Sequence, residues 1–310
     1  MKLRICAGAF VSFMWFIGMH WMKRWGYISL TILVFLLLTA CRPAQKPSKG
    51  IAALMPSLAD AVDAFGSSGA LDDHPLVAVS KYADAERYSG IRRLDSAGSL
   101  ETLANMRPEL VLLHSSDALL GEKLNRLGIR VIVHDMDTVE DIEATVRDIG
   151  LFLNKREVAV QINAQMRDKL ASNRSIFRES RSKRPQALLV VDRLDARMQQ
   201  FYIAQQPSYL AGLFEGCGVD VIAVGDNTWG RMDAEALIRL NPEMIIFLAR
   251  SEEDSGAIRS AFSEIYTDLD AVKSRMLYIY ADPDITVPGP DIGVKQERLC
   301  KDLQRFMDNR

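Results

Sequence analysis

The chain has 310 residues, 38 of them basic and 40 acidic, and 48% of them hydrophobic. Its length beyond the leader leaves about 260 residues, enough for two compact lobes. No basic stripe runs along it, which excludes the charge pattern of a nucleic-acid binder.

Residues 1–40 read as a secretory signal. They hold Lys2, Arg4, Lys23 and Arg24 and no acid, and no charge occurs from Trp25 to Ala40. A basic start, an apolar run and small residues before a cut are the parts of such a signal. The run ends Leu38-Thr39-Ala40-Cys41, which resembles the lipobox of bacterial lipoproteins. That resemblance implies a lipid on Cys41, which becomes the first mature residue, and an exported protein anchored to a membrane. Met22-Lys23-Arg24 would open a leader of ordinary length, so Met22 is an alternative start. Without the leader, 34 basic residues face 40 acidic ones, a net charge of −6. Residues 41–50 are polar and contain Pro43 and Pro47, the composition of a flexible tether.

Residues 51–153 alternate strand and helix patterns. Strands are predicted over 51–57, 75–82, 109–114 and 129–134. Helices are predicted over 57–65, 99–106, 118–127 and 139–153, with Gly66 and Gly128 as stops. A long polar helix follows within 154–184. It lacks Gly and Pro from Lys155 to Arg181, and Pro185 ends it. At that length it is a stiff beam between lobes. Residues 185–310 repeat the alternation. Strands are predicted over 187–191, 219–224, 244–248 and 276–280, and helices over 209–215, 234–240, 258–272 and 293–307. The expected fold is therefore α/β, with two similar lobes. Each is a parallel sheet flanked by helices, and one long helix joins them.

One block occurs twice. Glu101, Leu103, Pro108 and Glu109 align with Glu235, Leu237, Pro242 and Glu243, and four apolar residues follow each second glutamate. Two similar lobes leave a cleft between them, where a ligand is expected beyond the carboxyl ends of the strands. Those ends carry Tyr82, His114, His134, Arg193, Arg250 and the Asp282–Thr286 segment. Trp229 is the only tryptophan outside the leader. Its flat face suits a planar or apolar ligand, and Gly230 after it keeps the backbone accessible, which favours the cleft over the alternative of a core residue. Glu101 and Glu235 each lie two residues after a plausible N-cap, Ser99 or Asp233. There a carboxylate favours the helix dipole by about 0.3–1 kcal/mol.

Cys217 and Cys300 remain once Cys6 and Cys41 are set aside. One even pair in an exported domain predicts a disulfide, the alternative being two buried thiols. His114 and His134 end adjacent strands. With nearby acids they raise the alternative of a zinc or manganese receptor, but no close-spaced His pair or His-rich loop supports it. No G-x-S-x-G, H-E-x-x-H or phosphate-cradling G-x-x-x-x-G-K is present, so an enzyme is not expected.

The paired Glu-x6-Pro-Glu blocks, the exported leader and the two lobes on one long helix resemble the helical-backbone class of solute-binding proteins of ABC importers. That class carries cobalamin, ferric siderophores and haem. The match covers about residues 51–308 and is best at 99–113, 127–134, 210–219 and 229–248. The resemblance implies that Glu101 and Glu235 dock onto arginines of a permease, which works with an ATPase. It implies no intrinsic cofactor and a metal chelate as ligand. Trp229, six residues before Glu235, matches an aromatic wall of the cobalamin binders, as does the Cys217–Cys300 pair, and the chain is most like that member. At the corresponding first-lobe position stands Asp95, and Leu94 stands where haem binders carry tyrosine. Arg193, Arg231, Arg250, Tyr82 and Trp229, with His114, are the candidate ligand contacts, the arginines being suited to an anionic ferric chelate. A ligand-sensing lipoprotein is a further alternative.

Overall fold

The computed structural model describes residues 48–179 and 182–309. The leader, Cys41 and most of the tether lie outside them. Among the described residues no helix is long and apolar enough to cross a membrane.

In the N-terminal lobe five strands form an all-parallel sheet of order β3-β2-β1-β4-β5. They are β1 (Ser48–Ala53), β2 (Leu76–Ser80), β3 (Arg92–Leu94), β4 (Pro108–His114) and β5 (Val131–His134). Helices α1 (Pro56–Asp63), α2 (Ala70–Asp73), α3 (Leu100–Met106), α4 (Ala118–Arg126) and α5 (Val139–Phe152) connect and cover them. Alternation along β4 sends Leu110 and Leu112 to one face, against Leu58, Val62 and Ile149 of α1 and α5. Val111 and Leu113 go to the other, against Leu103 of α3 and Leu124 of α4. All of these are fully buried, and each such side chain contributes about 1.5–3 kcal/mol.

β1 begins inside the segment expected to be tether. Ser48 pairs with Pro108, and the strand bulges before Ile51. Gly50 has φ +132°, and a Cβ there would lie 2.3 Å from Val77 Cγ1. A glycine that reads as linker composition is thus a bulge residue with no room for a side chain. The linking helix α6 (Arg156–Phe177) also differs from expectation, stopping short of Pro185. Arg178 follows it, donating to the carbonyls of Glu215 and Val219 at 2.9 and 2.8 Å and to Asp220 at 2.7 Å. Twenty-two residues span about 33 Å. Ala159, Met166 and Phe177 of α6 belong to one buried cluster that runs through both lobes.

The C-terminal lobe has strands β6 (Gln186–Arg193), β7 (Gln200–Ala204), β8 (Asp220–Val221), β9 (Trp229–Asp233), β10 (Met244–Leu248) and β11 (Leu277–Tyr280). Its helices are α7 (Tyr209–Gly216), α8 (Ala234–Leu240), α9 (Glu252–Ile265), α10 (Asp270–Lys273) and α11 (Ile292–Asp308). The order is β11-β10-β6-β7-β9, with β8 beside β6. β10, β11 and β8 follow the expected parallel pattern, but β7 runs antiparallel to β6 and β9 antiparallel to β7. This ribbon was not expected, and the strand expected over 219–224 shrinks to two residues. Gln205, 2% exposed, braces the loop that follows β8. Its side chain donates to the carbonyls of Gly225 and Asn227 at 2.6 and 2.7 Å and accepts from the Val224 N–H at 2.7 Å. Held this way, the 224–228 loop turns the chain back into β9.

The sequence repeat has a structural counterpart. Arg107 and Asn241 close α3 and α8 in the left-handed region, at φ 48° and 42°, donating to Leu103 and Leu237. Proline follows each, so neither helix could continue. Glu109 then accepts from the Gly50 N–H at 3.3 Å, and Glu243 from the Gln186 N–H at 3.2 Å. In each lobe the second glutamate ties the start of one strand to its neighbour. Cys217, after α7, is disulfide-bonded to Cys300 of α11, with Cα atoms 4.7 Å apart.

Candidate ligand cleft and docking surface

The lobes meet where the chain leaves the carboxyl ends of their parallel strands. The Tyr209 N–H donates to the Asp137 carbonyl at 2.8 Å, and its hydroxyl to the Ile285 carbonyl at 3.4 Å. A cavity of about 540 Å³ opens at this junction. Pro56, Asp60, Tyr82 and Arg87 line it from the first lobe, and Pro283, Asp284 and Val287 from the second. Tyr82 is 75% exposed, with the Lys81 ammonium 4.8 Å from its ring centre.

The floor of the junction is charged and braced. Tyr88 donates to Asp60 at 2.6 Å, and Arg87 lies 3.2 Å from Asp60. Burial pushes the Asp60 carboxyl above its ordinary pKa, although the Tyr88 hydroxyl and Arg87 pull the other way. Lys295 is 2% exposed and donates to the Val287 carbonyl at 2.8 Å, with Asp284 and Asp291 at 3.1 and 3.3 Å. A buried ammonium requires such partners. Nothing in the local sequence marked the Asp60–Tyr88 pair, whose members lie 28 residues apart, whereas Lys295 has Asp291 one helical turn before it.

The β7–β9 ribbon lies at the far edge of the second sheet from β11. Phe201, Ile203 and Met232 face the core of the second lobe. Alternation places Tyr202, Trp229 and Arg231 on the opposite face. Tyr202 and Trp229 stack with ring centres 5.8 Å apart and planes 11° from parallel. Trp229 is half-buried and packs partly on the large core cluster. Burial raises the Tyr202 pKa, and the charge of Asp137 across the junction adds to the rise.

Arg193 and Arg250 come together at the ends of β6 and β10. Arg193 pairs with Asp254 at 2.7 Å and Arg250 with Asp192 at 2.5 Å. The Arg250 N–H also donates to Asp254 at 3.1 Å. These arginines, expected as anion receptors, already hold carboxylates. The His114 ring nitrogen Nδ1 lies 2.9 Å from Ser116 Oγ, and its Nε2 lies 3.8 Å from Asp135. His134 pairs with Asp148 at 3.0 Å. The two histidines are register partners in β4 and β5. Even so, among the described residues no three His, Cys, Asp or Glu side chains assemble to hold a metal ion.

Glu101 and Glu235 are exposed, each in the first turn of its helix. Asp233 caps α8, accepting from the Ala236 N–H at 2.7 Å. Ser99 does not cap α3. It has helical φ and ψ, and its hydroxyl donates back to Ser96. Both helices start at the edge of the sheet where the parallel strands end, so the two carboxylates occupy equivalent places on the two lobes.

The description "Periplasmic binding protein" matches residues 66–283. An ABC transporter substrate-binding lipoprotein of Bacillus subtilis (strain 168), YvrC, is 22% identical over 268 residues, covering 84% of this chain and 81% of that one. A possible iron-binding periplasmic protein from Staphylococcus epidermidis superposes with a TM-score of 0.68 at 19% identity, covering 83% of this chain and 99% of the other. IsdE of S. aureus, complexed with heme, gives 0.66 at 18% identity, with coverages of 82% and 98%. The vitamin B12 binding protein BtuF of Vibrio cholerae gives 0.64 at 19%, with coverages of 83% and 97%.

Proposed function

The chain belongs to the periplasmic binding protein family, and from that premise we propose that it is the lipid-anchored receptor of an ABC importer. It captures a bulky metal complex, a ferric siderophore or a corrinoid, between its lobes and delivers it to a permease driven by an ATPase. The observation that carries this reading is the stacked Tyr202–Trp229 pair on the outer face of the ribbon, across the junction from Asp137. A flat aromatic face fits a large, partly apolar ligand. The names of the structural relatives, which mention iron, heme and vitamin B12, support the same class. The role is binding without turnover, so the ligand is recovered chemically unchanged.

A thermal-shift panel of corrinoids, haem, ferric chelates and divalent metals tests this. A ligand at 100 times its dissociation constant adds about 2.7 kcal/mol of stability. Binding quenches the Trp229 emission, and Trp229→Ala weakens it about tenfold or more without unfolding the protein. A Trp229→Ala variant that binds as tightly as wild type would reduce Trp229 to a packing residue.

Anchoring is a separate part of the proposal. Residues 1–40 are removed and Cys41 carries the lipid. Cys41→Ala abolishes labelling by radioactive palmitate and leaves the precursor uncut. Unchanged labelling of that variant would remove the lipobox reading.

A further inference from the structure

A cavity of about 350 Å³ opens at the amino ends of the first-lobe strands, away from the ligand junction. His74, Arg107, Glu109, Arg130 and Phe152 line it. Its carboxylate is already engaged, since Glu109 accepts from the Gly50 N–H and lies 2.8 Å from His74 Nδ1. Arg130 is exposed, with its guanidinium 5.7 Å from the Phe152 ring centre, and among the described residues it forms no ion pair. Beside it α4 ends with Lys123 and Arg126 in its last turn. Near this end Asp73 and Glu122 face Lys49 and Arg126 at 3.8 and 3.4 Å. Leu127 and Leu151, each next to a lining residue, are exposed. Cations beside exposed apolar side chains are the composition of a surface that meets lipid headgroups.

The chain enters the fold at the same place. Ser48 of β1 pairs with Pro108, which lines the cavity. Cys41 stands seven positions before Ser48, and the segment from Cys41 to Lys49 holds Arg42, Lys46 and Lys49 and no acid. Seven extended residues reach at most about 25 Å. A lipid on Cys41 would therefore hold this end of the lobe close to the membrane, although the mature chain as a whole is acidic. Resting on the reading that Cys41 carries the lipid, we propose that the amino-end face of the first lobe lies on an anionic membrane surface. Arg107 and Arg130 hold the phosphate of a lipid headgroup in the cavity, and Leu127 and Leu151 meet the interface around it. Arginine suits that ligand because its planar fork takes two phosphate oxygens at once. The attraction acts within about one Debye length, about 8 Å at physiological salt, and the short tether allows that approach. Glu101 lies at the far end of α3 from Arg107, so the contact leaves the proposed docking carboxylate uncovered.

The test uses the chain from Arg42 onward, without lipid, which keeps every described strand and helix. Co-sedimentation reads its binding to vesicles of phosphatidylcholine alone or with about one-third phosphatidylglycerol. Binding is expected to be at least about tenfold tighter to the anionic vesicles and to weaken as salt rises. Arg130→Gln is expected to weaken it about fivefold, and Arg107→Gln with Arg130→Gln about twentyfold, whereas Arg130→Lys keeps most of it. Should Arg107→Gln disturb the end of α3, Arg130→Gln decides alone, because its side chain is exposed. The second lobe has a comparable cavity lined by Lys183, Glu243 and Lys273, beyond the other end of α6 from the tether. Lys183→Gln with Lys273→Gln removes as much charge there and is expected to leave vesicle binding unchanged. An equal loss in that variant would reduce the effect to overall charge and overturn the proposal. Equal binding to both kinds of vesicle, or undiminished binding by Arg130→Gln, would overturn it too. Thermal protection by inorganic phosphate with no vesicle binding would make the cavity an ion site and overturn the membrane contact. Vesicle binding by this chain, with no palmitate labelling of the full chain, would strike the Cys41 reading and leave the face in place. Normal labelling with no vesicle binding would do the reverse.

Discussion

Reversing both rim carboxylates, Glu101→Arg with Glu235→Arg, is expected to abolish uptake while ligand binding stays near normal. Both side chains are exposed, and that of Glu235 is 87% accessible. Their local work is small. An acid in a first turn is worth about 0.3–1 kcal/mol, and the Glu235–Arg239 pair at 3.7 Å adds only tenths of a kcal/mol at such exposure. Asp233 goes on capping α8 without Glu235. The fold therefore tolerates the change, and its melting temperature falls by only a few degrees, roughly 2–4 °C per kcal/mol. Docking has no such reserve. If two equivalent carboxylates meet two permease arginines, reversal replaces two attractions with two like-charge contacts, which cost several kcal/mol together. Placing acids at those permease arginines restores part of the uptake, because the coupling is pairwise. Normal uptake by the double reversal would reduce these glutamates to helix-start residues.

Removing the disulfide is expected to have the largest effect on stability. Cys217 and Cys300 are 83 residues apart in sequence and almost wholly buried. Closing a loop of that size restricts the unfolded chain, and such bridges typically contribute about 2–4 kcal/mol. Cys217→Ala with Cys300→Ala loses that contribution without burying a hydroxyl. The melting temperature then falls by about 2–4 °C for each kcal/mol. The bridge joins α7 to α11, whereas the proposed ligand wall is on the β7–β9 ribbon, so affinity measured well below the new transition is expected to persist. Calorimetry with and without reductant checks both points. An unchanged transition in the variant, or peptide mapping that finds two free thiols, would contradict the bridge.

Most of the framework was legible before any coordinates. Alternating strand and helix patterns, Gly and Pro stops and the repeated Glu-Pro-Glu block specify two similar α/β lobes. These signals are local. A strand hides alternate residues or a continuous run, and a helix must end before Pro108 or Pro242, whatever lies elsewhere in the chain. The helix over 234–240 and the strand over 244–248 are found where the pattern put them. The uniqueness of Trp229 and the even cysteine pair were also plain in the residue order.

The tertiary structure decided what depends on partners far apart in the chain. Residues 200–204 carry the strand formers Phe201, Tyr202 and Ile203 but went unread as a strand, and residues 229–233 lack a strong strand pattern of their own. They become a ribbon because β6 offers a free edge and Gln205 clamps the loop between them. Gly50 reads as linker until the backbone of β1 is seen to bulge against Val77. Arg193 and Arg250 read as anion receptors because a sequence shows a side chain's charge and not what already neutralises it. Asp254 and Asp192 supply that neutralisation from other segments. Buried Lys295 is a different case, since Asp284, Val287 and Asp291 lie just before it in the chain and only its burial needed the fold to show it. Periodicity and chain-breaking residues act over a few positions, so the sequence alone determined the elements and their repetition. Charge compensation, stacking and edge pairing act through space, so only the folded chain decided the character of the cleft.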